Sequence, residues 1–213
     1  MHTDPAADCT LCPRLAAMRR TNQQAQPDWF NRPVPSFGDP QARLLVVGLA
    51  PGLQGANRTG RPFTGDYAGD LLYATLAAHG FSQGNYAASA QDGLVLKDCL
   101  ITNSVRCVPP QNKPETSEIS TCRKYLAATI ASMSELKIIL ALGKIAHDST
   151  ASLFGLRPSK AKFAHGARHE LPDGQVLIDS YHCSRYNTNT RRLTPEMFES
   201  VFCDIQDHLN SQI

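Results

Sequence analysis

Four short apolar runs divide the chain, and none of them alternates between hydrophobic and polar positions. They are RLLVVG at 43–48, DCLITN at 98–103, LKIILALG at 136–143 and GQVLIDSYH at 174–182. A continuous run rich in Val, Ile and Leu is typical of a strand that is covered on both faces. The pattern therefore predicts four buried strands.

Outside these runs, apolar residues recur at the spacing of a helix. One helical segment runs from about residue 69 to Gly80, a residue type that suits the end of a helix. Others follow Pro114 and occupy 143–155. The last begins at Thr194, which is predicted to cap the helix, with a proline at the first helical position.

Alternation of strands and helices predicts an α/β fold, a three-layer α/β/α sandwich with a central, mostly parallel four-stranded sheet. Residues 1–213 are expected to form a single domain, with 1–40 as an N-terminal arm that is irregular from residue 20. Ligands bind beyond the carboxyl ends of strands in such sheets. The loops 48–66, 103–113 and 182–193 each follow a strand, so one cleft is expected to contain all three.

Composition places the chain among ordinary globular proteins. Of 213 residues, 42% are hydrophobic and 19% are charged, and no apolar run approaches the roughly 20 residues that span a bilayer. The first residues show neither the basic nor the apolar region of a secretion signal, so we expect the protein in the cytoplasm and without a membrane partner. We also expect a monomer. A net charge of +2 does not by itself indicate a nucleic-acid partner.

Seven cysteines in such a chain favour a metal site over a disulfide framework. Cys9 and Cys12 form a CxxC pair, and Cys107 and Cys122 supply two further thiolates. Both an iron–sulfur cluster and zinc use four such ligands. In the alternative, Cys107 and Cys122 belong to the core and the CxxC pair binds nothing. A redox dithiol is disfavoured because the pair precedes the first strand.

The other cysteines have separate interpretations. Cys99 lies in a predicted strand and Cys203 in a predicted helix, so both are expected in the core. Cys183 follows His182 in a loop, and a nucleophilic Cys–His pair is a less favoured hypothesis.

The loop GLAPGLQGANRTGRPFTGD at 48–66 has five glycines and matches neither dinucleotide-binding nor P-loop patterns. A looser phosphate cradle or a tight connection without a ligand would each explain it. Arg58, Arg61, Phe63 and Asp66 favour a ligand, since an aromatic ring in a glycine-rich cleft stacks on planar groups.

The loop HCSRYNTNTRRL carries three arginines and no acid. With its tyrosine, hydroxyl and amide groups, it suits contact with phosphates and bases. Taken as a charge run alone, it would more commonly be a solvated turn.

Five separated motifs resemble the uracil-DNA glycosylase superfamily. They are VVGLAPG, GRPFTGD, ITNSVRCVPPQNKP, LALG and HCSRYNTNTRRL, and the similarity extends from Cys9 to the last helix. Iron–sulfur members of type A carry Glu after the first glycine, whereas this chain has Leu49 and Ala50, so it resembles type B, or family five. The last motif usually reads His-Pro-Ser, and Cys183 here stands at the position of the proline.

The resemblance implies a [4Fe–4S] cluster of structural role, held by Cys9, Cys12, Cys107 and Cys122. Asp66, His182 and Asn103 would be catalytic, with Asp70 as the alternative acid. The base would contact Gly48, Leu49, Ala50, Pro51, Gly52, Phe63 and Asn103. DNA, expected to be double-stranded, would contact Arg58, Arg61, Ser184, Arg185, Tyr186, Asn187, Arg191 and Arg192.

The implied activity is that of a monofunctional DNA glycosylase that excises uracil and other deaminated bases such as hypoxanthine, leaving an abasic site. Two other classes remain open from the residues alone. One is a non-catalytic, metal-stapled module that binds damaged DNA, and the other is a hydrolase of small nucleotides.

Overall fold

A six-stranded sheet lies at the centre of the computed structural model, which describes residues 3–211. Its order is β1-β5-β2-β6-β8-β7. The bounds are β1 Phe37–Gly38, β2 Leu44–Gly48, β5 Cys99–Asn103, β6 Ile138–Leu142, β7 Arg168–Glu170 and β8 Val176–Ser180. Strands β5, β2, β6 and β8 are parallel, and the two edge strands are antiparallel.

The prediction of four strands is therefore corrected to six. The four predicted strands form the parallel centre as β2, β5, β6 and β8, and every residue of these four observed strands is buried, as a continuous apolar run indicates. The edge strands β1 and β7 are two and three residues long and are not fully buried. Such short, partly exposed strands leave no apolar run in the sequence.

Helices cover both faces of the sheet and complete the three layers. One face packs against α3 (Tyr67–Ala78) and α7 (Pro195–Asn210), and the other against α4 (Thr116–Ser132) and α5 (Lys144–Leu153). The remaining elements are α1 Pro13–Ala25, α2 Ala56–Thr59, α6 Arg185–Asn189, a 3-10 helix at Pro110–Asn112 and a small separate sheet of β3 Ser82–Gln83 and β4 Val95–Leu96.

Helix ends follow the predicted capping chemistry. Thr194 Oγ1 accepts a hydrogen bond from the Met197 backbone N–H at 3.2 Å, and Pro195 is the first residue of α7. Gly80 lies just beyond α3 with φ of +76°, a conformation that glycine adopts without steric cost. Both predicted boundaries are confirmed.

The N-terminal arm is more regular than predicted. Helix α1 extends to Ala25, inside the part expected to be irregular, and buries the polar residues Arg19 and Asn22 beside Leu15 and Ala16. A buried face that mixes polar and apolar residues lacks the apolar periodicity by which a helix is recognised. Within residues 3–211, no helix combines the length and apolar character needed to cross a membrane.

Candidate active site

A cavity of about 290 Å³ opens at the carboxyl ends of β2, β5 and β8. All three of the loops that were predicted to converge contribute to its wall, as parallel strands dictate. Its lining residues are Leu49, Ala50, Pro51, Gly52, Ala56, Phe63, Asp66, Tyr67, Ala68, Asn103, Asn112, His182, Ser184 and Arg185. The three predicted catalytic residues therefore share one cavity with the predicted stacking ring.

Gly48 explains how the strand end comes so close to the aromatic ring. It pairs with Asn103 across β2 and β5, and both residues end their strands. A side chain at position 48 would collide with the Asn103 side-chain oxygen and would lie 2.7 Å from Phe63 Cζ. Only glycine lets the Phe63 ring and the Asn103 amide lie together at this edge.

Asp66 directly precedes α3 and presents a partly desolvated carboxylate to the cavity. Its Oδ1 is buried and has no hydrogen-bond partner among residues 3–211, and its Oδ2 lies where Gly52 and Gly55 leave room for it. Burial raises the pKa of Asp66 above its ordinary value, although the backbone N–H groups of Gly69 and Ala68 oppose the rise, and the charge of Asp70 adds to it.

Asp70 occupies a different environment from Asp66. It lies on the first turn of α3, is exposed, and does not line the cavity. The structure therefore brings Asp66, and not the alternative acid, to the other candidate catalytic groups.

His182 follows β8 and lies against Phe63, with ring centroids 5.8 Å apart and planes inclined by 27°. Burial lowers the pKa of His182 to about 4, so the imidazole is neutral at pH 7. The Asn187 side-chain amide donates to the His182 carbonyl oxygen at 2.8 Å and holds this segment in place. A neutral imidazole offers one N–H donor to a ligand.

The nucleophile hypothesis for Cys183 is wrong. The Cys183 thiol is fully buried and donates to the Ala68 carbonyl oxygen at 3.4 Å. Burial raises its pKa to about 12, which leaves no thiolate at neutral pH.

The predicted DNA-contacting residues include members of the cavity wall and members of the exposed surface. Ser184 caps α6 and Arg185 lies over the ring of Tyr67 at 5.2 Å, and both line the cavity. The outward-facing residues are Arg58, Arg191, Arg192 and Tyr186, the last with 72% of its surface exposed.

Arg61 is corrected from a DNA contact to an interior residue. Its side chain is 5% exposed and forms a bidentate ion pair with Asp92, with both N–O distances at 2.7 Å. A buried guanidinium whose three nitrogens are all bonded to Asp92 and Thr64 cannot reach a phosphate. The motif alone could not show this, because the partner lies 31 residues further along the chain.

A second cavity of about 320 Å³ lies on the other side of His182. Gly143, Lys144 and Ile145 at the start of α5 line it, together with Arg192. Arg192 is a predicted DNA contact, whereas the LALG motif by itself assigns no role to Gly143, Lys144 or Ile145. The sequence also assigns no role to Asn112, which lines the first cavity. The two prolines shortly before it are the sequence feature that could have drawn attention to this loop.

Cys9, Cys12, Cys107 and Cys122 line one pocket together with Leu15, Val105 and Tyr125. The Arg106 backbone N–H donates to Cys122 Sγ at 3.4 Å, and Arg19 Nη1 lies 3.8 Å from Cys107 Sγ. Donors and positive charge of this kind stabilise coordinating thiolates. Cys12 is the residue before α1, so the CxxC pair does begin a helix, although it follows no strand.

The positions of the four sulfur atoms can be compared with those of a tetrahedral zinc site. All four cysteines lie in the described part of the chain, and no three of their sulfur atoms come within 4.8 Å of one another. A zinc ion at about 2.3 Å from each sulfur would hold neighbouring sulfurs about 3.8 Å apart. Sulfur atoms of this group would therefore have to move closer together to bind one zinc ion.

The two remaining cysteines differ in their surroundings. Cys99 is buried, as predicted, whereas Cys203 is exposed on α7. The prediction for Cys203 was wrong because its neighbours Phe202 and Val201 carry the buried face of the helix.

His147, His169 and Asp179 form a further cluster of possible metal ligands. Asp179 accepts from His147 Nδ1 at 2.8 Å and from His169 Nε2 at 3.1 Å, and His147 Nε2 lies 3.1 Å from the Ala161 carbonyl oxygen. Burial alone would lower the pKa of His147, but the hydrogen bond and charge of Asp179 outweigh it and raise the pKa. The group is a hydrogen-bonded tie between α5, β7 and β8.

Comparison with known proteins places these features in a family. Residues 35–206 match the model of the uracil DNA glycosylase superfamily. A type-5 uracil-DNA glycosylase of Thermus thermophilus is 45% identical, with 92% of this chain and 91% of that protein covered. One of Mycobacterium leprae is 43% identical, with 92% and 89% covered. The crystal structure of Pedobacter heparinus SMUG2 shares the fold at a TM-score of 0.50 and 14% identity, covering 80% of this chain and 77% of that one.

Proposed function

Because the chain belongs to the uracil-DNA glycosylase superfamily and excises uracil from DNA, we propose that the cavity at the ends of β2, β5 and β8 is its reaction centre. The observation that carries this proposal is the meeting of a neutral histidine, an unpartnered carboxylate oxygen and an aromatic ring in one cavity. A reaction that develops charge on both a base and a sugar needs such groups on both sides of the breaking bond.

Recognition begins with a target nucleotide that leaves the duplex at a cost of a few kcal/mol. The flipped pyrimidine stacks on Phe63, and the Asn103 amide contacts the edge of the base. The backbone of 48–52 follows the ring closely, which is possible because Gly48 and Gly52 carry no side chains. The small lining residues Ala50, Ala56 and Ala68 leave the space that the base occupies.

The chemical step places opposite demands on His182 and Asp66. As the glycosidic C–N bond breaks, negative charge develops on a pyrimidine oxygen, and the neutral His182 donates its N–H to that oxygen. Positive charge develops on the sugar, and the Asp66 carboxylate stabilises it and orients the attacking water. Neither group forms a covalent bond to DNA, so the product is an abasic site in an unbroken strand.

DNA is expected to be bound as a duplex by the loop 182–193 and by the start of α5. Arg185, Arg191 and Arg192 supply the positive charge, with Lys144 on the far side of His182. Phosphate contacts of this kind fix the register on the duplex without reading sequence. Tyr186, the most exposed large side chain there, faces the space that the flipped nucleotide leaves. We also propose that the chain forms a single domain, that it acts as a monomer and that it is located in the cytoplasm.

Hypoxanthine is proposed as a second substrate. The first loop has Leu49 and Ala50 where an acid would strengthen water activation. Discrimination between uracil and other bases therefore rests on how well each base fits the cavity. Duplexes of one sequence carrying a single uracil or a single hypoxanthine are expected both to release free base. Excision confined to uracil would contradict this extension and leave uracil excision intact.

A [4Fe–4S] cluster is proposed for Cys9, Cys12, Cys107 and Cys122, which line one pocket and have N–H donors beside the sulfurs of Cys107 and Cys122. When bound, the cluster supplies structural cross-linking and no chemistry to the base. It would tie α1 to the segment after β5 and to α4, which stand on three separate parts of the chain.

Iron content tests this assignment. Anaerobically purified protein is expected to contain about four iron atoms per chain with broad visible absorption near 400 nm. Cys107→Ala should lose both, whereas Cys203→Ala, at an exposed cysteine, should keep them. Stoichiometric zinc without iron would contradict the assignment.

A further inference from the structure

Arg61 and Asp92 form a buried ion pair beside the chain segment that carries Phe63. The guanidinium and the carboxylate are 5% and 1% exposed, and two parallel N–O contacts of 2.7 Å join them. The backbone N–H groups of Ala87 and Leu94 also donate to Asp92, at 2.9 and 3.0 Å. The guanidinium, with these N–H groups, holds the pKa of Asp92 far below its ordinary range, so the pair stays charged.

Three aromatic rings enclose the Arg61 guanidinium. Its central carbon lies 5.1 Å from the ring centroid of Phe37, 5.3 Å from that of Tyr73 and 5.7 Å from that of Tyr86. A guanidinium stacked on aromatic rings and paired with a carboxylate has one fixed orientation. Arg61 is therefore a rigid support.

The support is bonded to the segment that carries Phe63. Arg61 Nε donates to Thr64 Oγ1 at 2.7 Å, and the Tyr73 hydroxyl donates to the Pro62 carbonyl oxygen at 2.7 Å. The Tyr86 hydroxyl lies 3.4 Å from both the Phe63 carbonyl oxygen and the Gly65 backbone nitrogen. Every residue from 62 to 65 is thus tied to the same cluster.

Phe63 needs such ties because of its backbone. Its φ is +51°, in the left-handed region that a bulky residue other than glycine rarely adopts. Strained conformations of this kind persist where the surrounding structure over-determines them. The strain directs the Phe63 ring toward Gly48 and His182.

We infer that Asp92, acting through Arg61 and Thr64, is a positioning residue that holds Phe63 in its base-stacking conformation. The segment between β3 and β4, which contributes nothing to the cavity wall itself, thereby takes part in uracil excision. The inference rests on the stacking role proposed for Phe63.

Asp92→Asn tests the inference directly. It leaves the buried guanidinium without its charge partner and is expected to lower the single-turnover rate of uracil excision about 10- to 100-fold, the scale of a displacement near 1 Å. Binding to undamaged duplex should change less than threefold. Fluorescence of a 2-aminopurine placed beside the uracil, which rises when the base leaves the stack, should fall as it does in Phe63→Ala.

Two further variants separate positioning from loss of fold. Thr64→Val keeps the ion pair and the side-chain shape but removes the acceptor of Arg61 Nε, so it should fold and still lower the 2-aminopurine signal. Asp98→Asn is the control variant. Asp98 pairs with Arg43 at the amino end of β5, and its φ of +51° is one that asparagine tolerates. Removing its charge should leave the excision rate and the 2-aminopurine signal unchanged.

The outcomes distinguish this inference from the proposed function. If Phe63→Ala lowers the rate while folded Asp92→Asn and Thr64→Val match the wild type, the inference is overturned and the stacking role stands. If Phe63→Ala itself keeps the rate and the signal, the proposed role of Phe63 fails first.

Discussion

Replacing His182 with alanine is expected to lower the single-turnover rate of uracil excision by about 10²–10³-fold, because it removes the donor aimed at the departing base. The neutral state of the ring matters for this expectation. With its pKa at about 4, His182 acts as a hydrogen-bond donor at pH 7 without carrying charge. Affinity for a uracil-containing duplex should change little, since the donor strengthens only as charge develops.

The measurement is the rate of abasic-site formation with enzyme in excess over a duplex that carries one uracil opposite guanine. His79→Ala is the matched control, because His79 directly follows α3, bonds to Gln206 and does not line the cavity. A rate for His182→Ala within threefold of wild type would remove His182 from the mechanism.

Replacing Asp66 with asparagine is expected to lower the same rate by about 10²–10⁴-fold. Asparagine has nearly the same shape but no negative charge, so it can neither stabilise a cationic sugar nor accept a proton from water. Duplex binding should be unchanged or slightly tighter, since a carboxylate near phosphates is removed.

The pH dependence of the rate gives this prediction a second measurement. Wild-type activity should fall as pH decreases through the raised pKa of Asp66, at a higher pH than an ordinary aspartate would give, because only the charged form is active. Asp66→Asn should lose this acid limb. Asp70→Asn should keep the rate and shift the limb to lower pH, because Asp70 contributes to the raised pKa. An unchanged acid limb in Asp66→Asn would assign the limb to another group.

The sheet and the place of the site could be predicted because both follow from strong local signals. Continuous apolar runs mark strands that are buried on both faces, and parallel strands bring the loops after them to one edge. Asn103 ends a strand, and His182 and the loop with Phe63 and Asp66 each follow one. The topology of the sheet is therefore enough to bring them together.

The missed features depend on long-range pairing. Arg61 looked like a surface arginine within its motif, and only the fold brings Asp92 and three aromatic rings around it. Helix α1 buries Arg19 and Asn22, so its pattern is not that of an amphipathic helix. Asn112 has a φ of +56° and reaches the cavity only through the path of its loop.

The two rival classes do not account for the molecule as well as a glycosylase does. A non-catalytic binding module would have no need of a desolvated carboxylate and a neutral histidine in one cavity. A hydrolase of small nucleotides would need no exposed arginines beside both cavities, where Arg185 lines the first and Arg192 the second. The relatives at 43–45% identity over nine-tenths of the chain are uracil-DNA glycosylases by name.

Release of free uracil from a duplex with one U·G pair tests the central claim most directly, when wild type is compared with the double variant Asp66→Asn/His182→Ala. The account predicts one free uracil and one abasic site per wild-type turnover, with strand breakage only after alkali. The double variant should bind the duplex and release uracil at the background rate. Release by the folded double variant within tenfold of wild type would place the chemistry outside this cavity and contradict the account.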